Sequence, residues 1–176
     1  MIEMRSVESV MKKIKIVLIT KNAKMLIQNE IDINGKQTET GGALVGYQVQ
    51  DIIVVTHASG PGEKSKRTRY SVEIDGNFTT QYCNRLNLLS NYNLYYIGDW
   101  HTHLTDCLNP SRSDYIAMTT IYKEMNIDEN HSLISVILFH NCIEKVRAYA
   151  IDKNNREFYE IKAQYVPNPS CIIPYI

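Results

Sequence analysis

Apolar strand segments alternate with amphipathic helical segments along most of this 176-residue chain, and two adjacent strand pairs break the alternation. Strands predicted at 43–50 and 52–57 meet around Gln50-Asp51, and strands predicted at 132–140 and 145–151 flank Asn141. Connections this short join antiparallel strands, whereas parallel strands need a longer crossover. The pattern therefore excludes a purely parallel sheet and predicts an α/β fold built on a mixed sheet.

The remaining elements are predicted from the same two patterns, the alternation of apolar residues in strands and their helical spacing in amphipathic helices. Strands are predicted at 13–20, 69–74, 94–100 and 158–166, and helices at 21–30, 77–90 and 111–125. We expect a single domain at 13–166, since domains typically contain ~100–150 residues. Residues 1–12 are then a short leader and 167–176 an extended, proline-containing tail, with both Met1 and Met11 left open as the start.

Charge and cysteine content narrow the class of protein. Lys and Arg number 19, as do Asp and Glu, so the net charge is zero and general nucleic-acid binding is not expected. The longest apolar runs fall short of the ~20 residues that span a bilayer. The four cysteines form no CxxC pair and no dense framework, which favours reduced thiols and a cytoplasmic location.

Two histidines, separated by a single residue, directly follow the strand predicted at 94–100. Because strand side chains alternate, His101 and His103 point to the same face and can reach one ion. Asp114 follows in the first turn of the next helix, where its carboxylate can complete the set. Three protein ligands with one open position are typical of catalytic zinc, whereas structural zinc sites have four protein ligands.

Each part of this pattern also has an ordinary structural interpretation. An HxH pair is often two half-buried histidines, and Ser111 followed by Asp114 resembles a helix N-cap with its capping box. The capping role and a metal role are compatible. By chance, the combined spacing HxHx7SxxD should occur in about 4 of 10,000 chains of this composition.

A second element makes the pattern specific. Glu39 stands just before Gly41-Gly42 at the start of a predicted strand. Together with His101-Thr102-His103, Ser111 and Asp114, it resembles the JAMM (JAB/MPN-plus) metalloprotease family over nearly the whole chain. Through Gly60-Pro61-Gly62, Arg67-Thr68-Arg69 and Gly98-Asp99-Trp100-His101, the chain most resembles small bacterial JAB proteins, which are encoded beside ubiquitin-activating and conjugating-like enzymes, including those of antiphage CBASS operons. It implies an MPN/JAB-like mixed sheet flanked by helices in a single domain.

The resemblance also implies roles for individual residues. His101, His103 and Asp114 match the ligands of one zinc ion, Glu39 matches the general base, and Ser111 matches the residue that stabilises the tetrahedral intermediate. One departure is the leucine that follows the second histidine, where many family members have proline. That position is neither ligand nor base, so it bears on the loop conformation and leaves the chemistry intact.

The implied function is that of a zinc-dependent isopeptidase. Its substrate would be a ubiquitin-like modifier joined to a target protein, such as a nucleotidyltransferase, and its partners the activating and conjugating-like enzymes of that pathway. One alternative is a peptidase that matures a ubiquitin-like or sulfur-carrier precursor by trimming after its terminal glycine. An alternative of another class is a catalytically silent MPN-like scaffold, although such scaffolds have usually lost the metal ligands that this chain keeps.

Two further groups of residues are candidates beside the motif. Asp99 lies two residues before His101 and therefore on the same strand face, where it either orients a ligand histidine or is an ordinary polar strand residue. A local basic cluster lies beside Gly60-Pro61-Gly62 and either contacts an acidic patch on a modifier or target or is a solvated loop. The cluster consists of Lys64, Lys66, Arg67 and Arg69.

Overall fold

The structure is a computed structural model that describes residues 13–125, 131–152 and 157–170. These residues contain nine strands and three helices. The predicted leader and residues 171–176 of the predicted tail lie outside these ranges. The strands are β1 (Ile16–Thr20), β2 (Gly41–Val49), β3 (Ile52–Ala58), β4 (Lys66–Arg67), β5 (Val72–Glu73), β6 (Tyr95–His103), β7 (Ile134–Phe139), β8 (Cys142–Ile151) and β9 (Phe158–Val166). The helices are α1 (Lys21–Asn34), α2 (Gly76–Leu89) and α3 (Arg112–Glu124).

Seven of these strands form one closed sheet. They are hydrogen-bonded in the order β1-β3-β2-β6-β7-β8-β9, and β9 pairs in parallel with β1 to complete a barrel. The prediction of an MPN/JAB-like mixed sheet flanked by helices is therefore wrong, because the sheet is a closed mixed barrel accompanied by three short helices. Alternation of apolar residues identifies strands, but it carries no information about the pairing of the first strand with the last one.

The local predictions fare better than the overall architecture. Strands β2 and β3 are antiparallel, as are β7 and β8, so both predicted hairpins are confirmed. Strand β9 has the predicted bounds, while α1 continues past the predicted end at residue 30 to Asn34. The strand predicted at 69–74 is wrong, because only Val72–Glu73 is extended and it pairs with β4 in a separate two-stranded sheet.

Helix α1 packs against the barrel through a narrow apolar stripe. Thr20 caps the helix by accepting a hydrogen bond from the Ala23 amide, so the chain turns directly from β1 into α1. Ala23, Ile27 and Ile31 then recur at helical spacing, and all are buried in the main apolar cluster with Trp100 of β6. Among the described helices, none combines the length and the apolar character needed to cross a bilayer.

Candidate metal centre

The two histidines of the motif lie at the carboxyl end of β6 and face the same side of the strand. His101 is buried and His103 is partly buried, and their Nε2 atoms are 3.2 Å apart. Strand β6 extends as far as His103 because it is hydrogen-bonded to a neighbour on each side. It pairs with β2 up to His101 and with β7 up to His103. The period-two argument from the sequence therefore places both rings where they can share one ion.

Asp114 comes to the same point from helix α3. The Ser111 hydroxyl accepts a hydrogen bond from the Asp114 amide, and Asp114 Oδ2 accepts one from the Ser111 amide at 2.6 Å, which is the predicted capping box. The same Oδ2 lies 3.5 Å from His101 Nε2 and 3.7 Å from His103 Nε2. Capping and a metal role are therefore compatible in geometry as well as in chemistry.

The separations of the three atoms fit a small divalent cation. Two ligands of a tetrahedral zinc at ~2.0–2.1 Å are about 3.3–3.4 Å apart. The observed distances of 3.2, 3.5 and 3.7 Å lie close to that value. Nitrogen and carboxylate oxygen are donors that zinc accepts. His101, His103 and Asp114 thus form a group that could hold a metal ion.

The charge states of Asp114 and His103 depend on their contacts within this group. Burial acts to raise the pKa of Asp114, but interactions with both histidines and with Ser111 outweigh it and hold the pKa well below its ordinary value. The carboxylate is therefore ionised at neutral pH. Burial acts to lower the pKa of His103, and the neighbouring Asp114, the Cys107 carbonyl and Glu39 reverse that effect and raise it.

A backbone carbonyl fixes the ring of His103. Its Nδ1 lies 2.7 Å from the Cys107 carbonyl oxygen, and because a carbonyl can only accept, Nδ1 carries the proton. In the neutral ring, Nε2 then carries the lone pair, and this is the atom that faces His101 and Asp114. Residues of the loop that follows the motif are themselves anchored, since Leu108 is buried and its carbonyl accepts a hydrogen bond from the Tyr149 hydroxyl. Sequence reasoning missed this contact, because a backbone carbonyl leaves no trace in residue type.

Glu39 reaches the same place from the residues that precede β2. Gly41 pairs with His101 in the sheet, and a Cβ at Gly41 would lie 2.4 Å from the Trp100 carbonyl oxygen. The glycine is therefore required for β2 to approach β6 this closely. The Glu39 side chain is only 7% exposed, and burial raises its pKa to about 7, with opposing effects from His103 and Asp114.

A cavity of about 130 Å³ joins these residues. Glu39, His101 and Asp114 line it, and so does Asp99. The Asp99 carboxylate accepts a hydrogen bond from the Tyr96 hydroxyl at 3.0 Å, and burial raises the pKa of Asp99 to about 6. Asp99 thus lines the same cavity as His101 and Asp114, and its hydrogen-bond partner in the structure is a tyrosine rather than a histidine.

Ser111 is hydrogen-bonded to Asp114 and is not among the described residues that line the cavity. The four residues of the basic cluster differ in their exposure and in their partners. The Ser111 hydroxyl is exposed and 2.8 Å from the Ser113 hydroxyl. Within the cluster, Lys66 pairs with Glu73, and Arg67 NH1 lies 3.8 Å from Glu30 Oε1, while Lys64 and Arg69 are exposed. Arg67 is therefore partly buried beside Glu30, and its side chain is 29% exposed.

The geometry defines a class of site, in which three side chains from a strand and a helix could hold a metal ion and a buried carboxyl lies beside them. No protein-family model matches the chain. The protein "CD-NTase/cGAS isopeptidase" of Escherichia coli (strain TW11681) is 35% identical over 98 residues, which make up 56% of this chain and 63% of that relative. The match therefore spans less than two thirds of the relative's length.

A solved structure shares the shape of the molecule. The solution structure of protein DSY2949 from Desulfitobacterium hafniense superimposes with a TM-score of 0.63, covering 88% of this chain and 95% of that one. Only 15% of residues are identical. This likeness shows a common fold and carries no information on activity.

Proposed function

We propose that this protein is a zinc-dependent isopeptidase that removes a ubiquitin-like modifier, or another conjugated partner, from a target protein. The observation that carries the proposal is the convergence of His101 Nε2, His103 Nε2 and Asp114 Oδ2 beside the buried carboxyl of Glu39. An open ligand position next to a proton acceptor is the arrangement of a metal hydrolase. The proposed catalytic domain comprises residues 13–166.

The two histidines and Asp114 would hold the metal. A zinc ion bound there would supply a Lewis acid that polarises a carbonyl group and makes water more acidic. His103 is kept in the required tautomer by its hydrogen bond with the Cys107 carbonyl, and Asp114 is kept ionised by its neighbours. Asp114 is thus already in the charge state that a metal ligand needs, whereas His103 must be neutral to act as a ligand and its pKa is raised in the metal-free protein.

Glu39 acts as the general base and then the general acid. Its carboxylate takes a proton from the water that attacks the carbonyl carbon of the isopeptide bond. The protonated Glu39 then gives that proton to the departing lysine amine as the carbon–nitrogen bond breaks. Burial raises the pKa of Glu39 in the metal-free protein above its ordinary value, which makes its carboxylate a stronger proton acceptor.

Ser111 supplies a hydrogen-bond donor for the developing negative charge on the carbonyl oxygen. A lone pair of its Oγ is occupied by the Asp114 amide, so the hydroxyl proton remains available to point outward. Its Oγ also lies 2.8 Å from the Ser113 hydroxyl oxygen, and either of these two hydroxyls can be the donor. Donors of this kind stabilise the transition state because they are held in place before the reaction begins.

The substrate class rests on similarity. The E. coli relative is called a CD-NTase/cGAS isopeptidase, which supports a conjugate whose target is a nucleotidyltransferase in a bacterial antiphage system. Activating and conjugating-like enzymes would then be the pathway partners, and the site of action would be the cytoplasm. An extended modifier tail would reach Glu39 beside β5, whose Val72 lines the same cavity.

Elemental analysis and cleavage of a modifier–lysine conjugate, measured on the same samples, test the proposal. We expect near-stoichiometric zinc and cleavage in the native protein, and loss of both in His103→Ala. Cleavage of a C-terminally extended precursor but not of a conjugate would indicate the maturation peptidase instead. Absence of zinc after metal-replete purification would refute the enzyme proposal and favour the scaffold.

A further inference from the structure

A partly buried carboxylate on helix α1 is hydrogen-bonded to the residue next to Glu39. Glu30 lies on the side of α1 that faces the barrel, and its side chain is 15% exposed. Its Oε1 accepts a hydrogen bond from the Thr40 hydroxyl at 2.7 Å and another from the Asn34 side-chain amide at 3.0 Å. Charge-assisted bonds of this kind are stronger than those between neutral groups.

Thr40 also fixes the backbone beside Glu39 to the strand that bears the metal donors. The Thr40 amide donates to the Thr102 hydroxyl at 3.0 Å, and the Thr102 amide donates to the Thr40 carbonyl at 2.8 Å. Both threonines are fully buried, and Thr102 lies between His101 and His103. Thr40 therefore contacts Glu30 with its side chain and strand β6, which bears His101 and His103, with its main chain.

The other side of Glu39 is held by the small β4–β5 sheet. The Glu39 amide donates to the Thr68 carbonyl at 2.8 Å. Arg67 precedes Thr68, and its buried Nη1 lies 3.8 Å from Glu30 Oε1. Among the described residues, this Nη1 has no hydrogen-bond partner. Glu30 thus attracts the segment that holds the Glu39 amide as well as the residue that follows Glu39.

The position of the Glu30 carboxylate is itself restricted. A Cβ at Gly60 would lie 2.8 Å from Glu30 Oε2, so the backbone at Gly60 closes one side of its site. The carboxylate cannot withdraw in that direction while Thr40 and Asn34 donate to its other oxygen. The arrangement is that of a fixed anchor rather than a flexible surface acid.

We propose that Glu30 is a positioning residue for Glu39, acting through Thr40 and the β4 segment. The inference rests on the proposed function, since it assigns Glu30 a part in the hydrolysis performed at that site. Glu30 touches neither the metal donors nor the reacting atoms. Its effect is on where the Glu39 carboxylate stands relative to the ligand group, and displacements of about 1 Å can reduce turnover by about 100-fold.

Two pairs of variants test this role. Glu30→Ala should lower kcat by about 10–100-fold while KM and zinc affinity change by no more than about threefold. Asp32→Ala, two positions along the same helix and exposed, is the matched control and should behave as wild type. Thr40→Val should reproduce the loss in kcat, whereas Thr40→Ser, which keeps the hydroxyl, should recover most of it.

Amide hydrogen exchange in the metal-free protein provides a readout that needs no activity. We expect Glu30→Ala and Thr40→Val to speed exchange at Glu39 and Thr40 and to leave β7 and β8 unchanged. This measurement separates the two proposals, because it tests the anchor even if the wild-type protein cleaves no conjugate.

Several outcomes would overturn the inference. Wild-type kcat in Glu30→Ala would do so, as would a loss of kcat matched by an equal loss of zinc affinity. Equal impairment of Thr40→Ser and Thr40→Val would show that the hydroxyl contact with Glu30 is irrelevant. If Glu30→Ala fails to fold, the Thr40 pair still decides the question.

Discussion

A carboxyl buried beside a metal-donor group should make the metal-free protein less stable above neutral pH. Burial raises the pKa of Glu39 from its ordinary value of 4.5 to about 7. Between these two values the folded state holds a proton that the unfolded state has released. The free energy of unfolding therefore falls as pH rises from about 4.5 to 7, and the full cost persists above pH 7.

The size of this effect follows from the shift in pKa. One pKa unit corresponds to about 1.4 kcal/mol, so the shift of Glu39 gives a cost of at most about 3 kcal/mol at pH 8. Glu39→Gln has nearly the same shape and no charge to desolvate. We expect it to stabilise the metal-free protein by about 1–3 kcal/mol at pH 8, and by nearly nothing at pH 4.5.

Urea unfolding at several pH values, with a chelator present, measures the difference. Glu63→Gln is the matched control, because Glu63 is exposed and its substitution should change stability by less than about 0.5 kcal/mol. Zinc should reduce the gain in Glu39→Gln, since a nearby cation favours the ionised carboxylate. A gain that is absent at pH 8, or equal at all pH values, would show that the Glu39 carboxyl is not desolvated.

Three other perturbations follow from the site geometry. Saturating zinc at about 100 times its Kd should raise the Tm of the wild-type protein by about 5–10 °C in calorimetry and leave His103→Ala unchanged. Ser111→Ala removes a helix cap, so we expect its free energy of unfolding in urea to fall by about 1 kcal/mol and its kcat to fall by about 10²–10³-fold. Ser113→Ala should keep the wild-type stability. Equal kcat values in the two variants would exclude the donor role of Ser111. Leu108→Ala should lower the free energy of unfolding by about 2–4 kcal/mol, because Leu108 is buried. It should also weaken zinc binding about tenfold in a competition titration, because the neighbouring Cys107 carbonyl that holds the His103 ring loses its support. Unchanged zinc affinity would contradict this expectation.

Local chemistry made much of the candidate site predictable. The alternation of strand side chains placed His101 and His103 on one face, and the helix-capping pattern placed Asp114 at the start of α3. Glu39 required a resemblance rather than a spacing, since no local pattern relates residue 39 to residue 101. The register of β2 with β6 explains it, because that pairing sets Gly41 opposite His101.

Long-range contacts account for what the sequence did not reveal. The closed barrel depends on pairing between β1 and β9, which no local periodicity encodes. The Cys107 carbonyl acts through the backbone, so its residue type is uninformative. Glu30 reads as an ordinary acidic residue on an amphipathic helix, and only the fold brings it to Thr40.

The parallel pairing of β1 with β9 has a consequence for synthesis on the ribosome. A nascent chain that has emerged as far as Asp114 already carries all three metal donors and Glu39. Strand β1 can by then pair with β3, but its second neighbour is β9, which is made last among the barrel strands. Pairing of segments so distant in sequence is slow. The three candidate ligands are therefore synthesised before the barrel can close. If they hold a metal ion as proposed, its binding can precede completion of the fold.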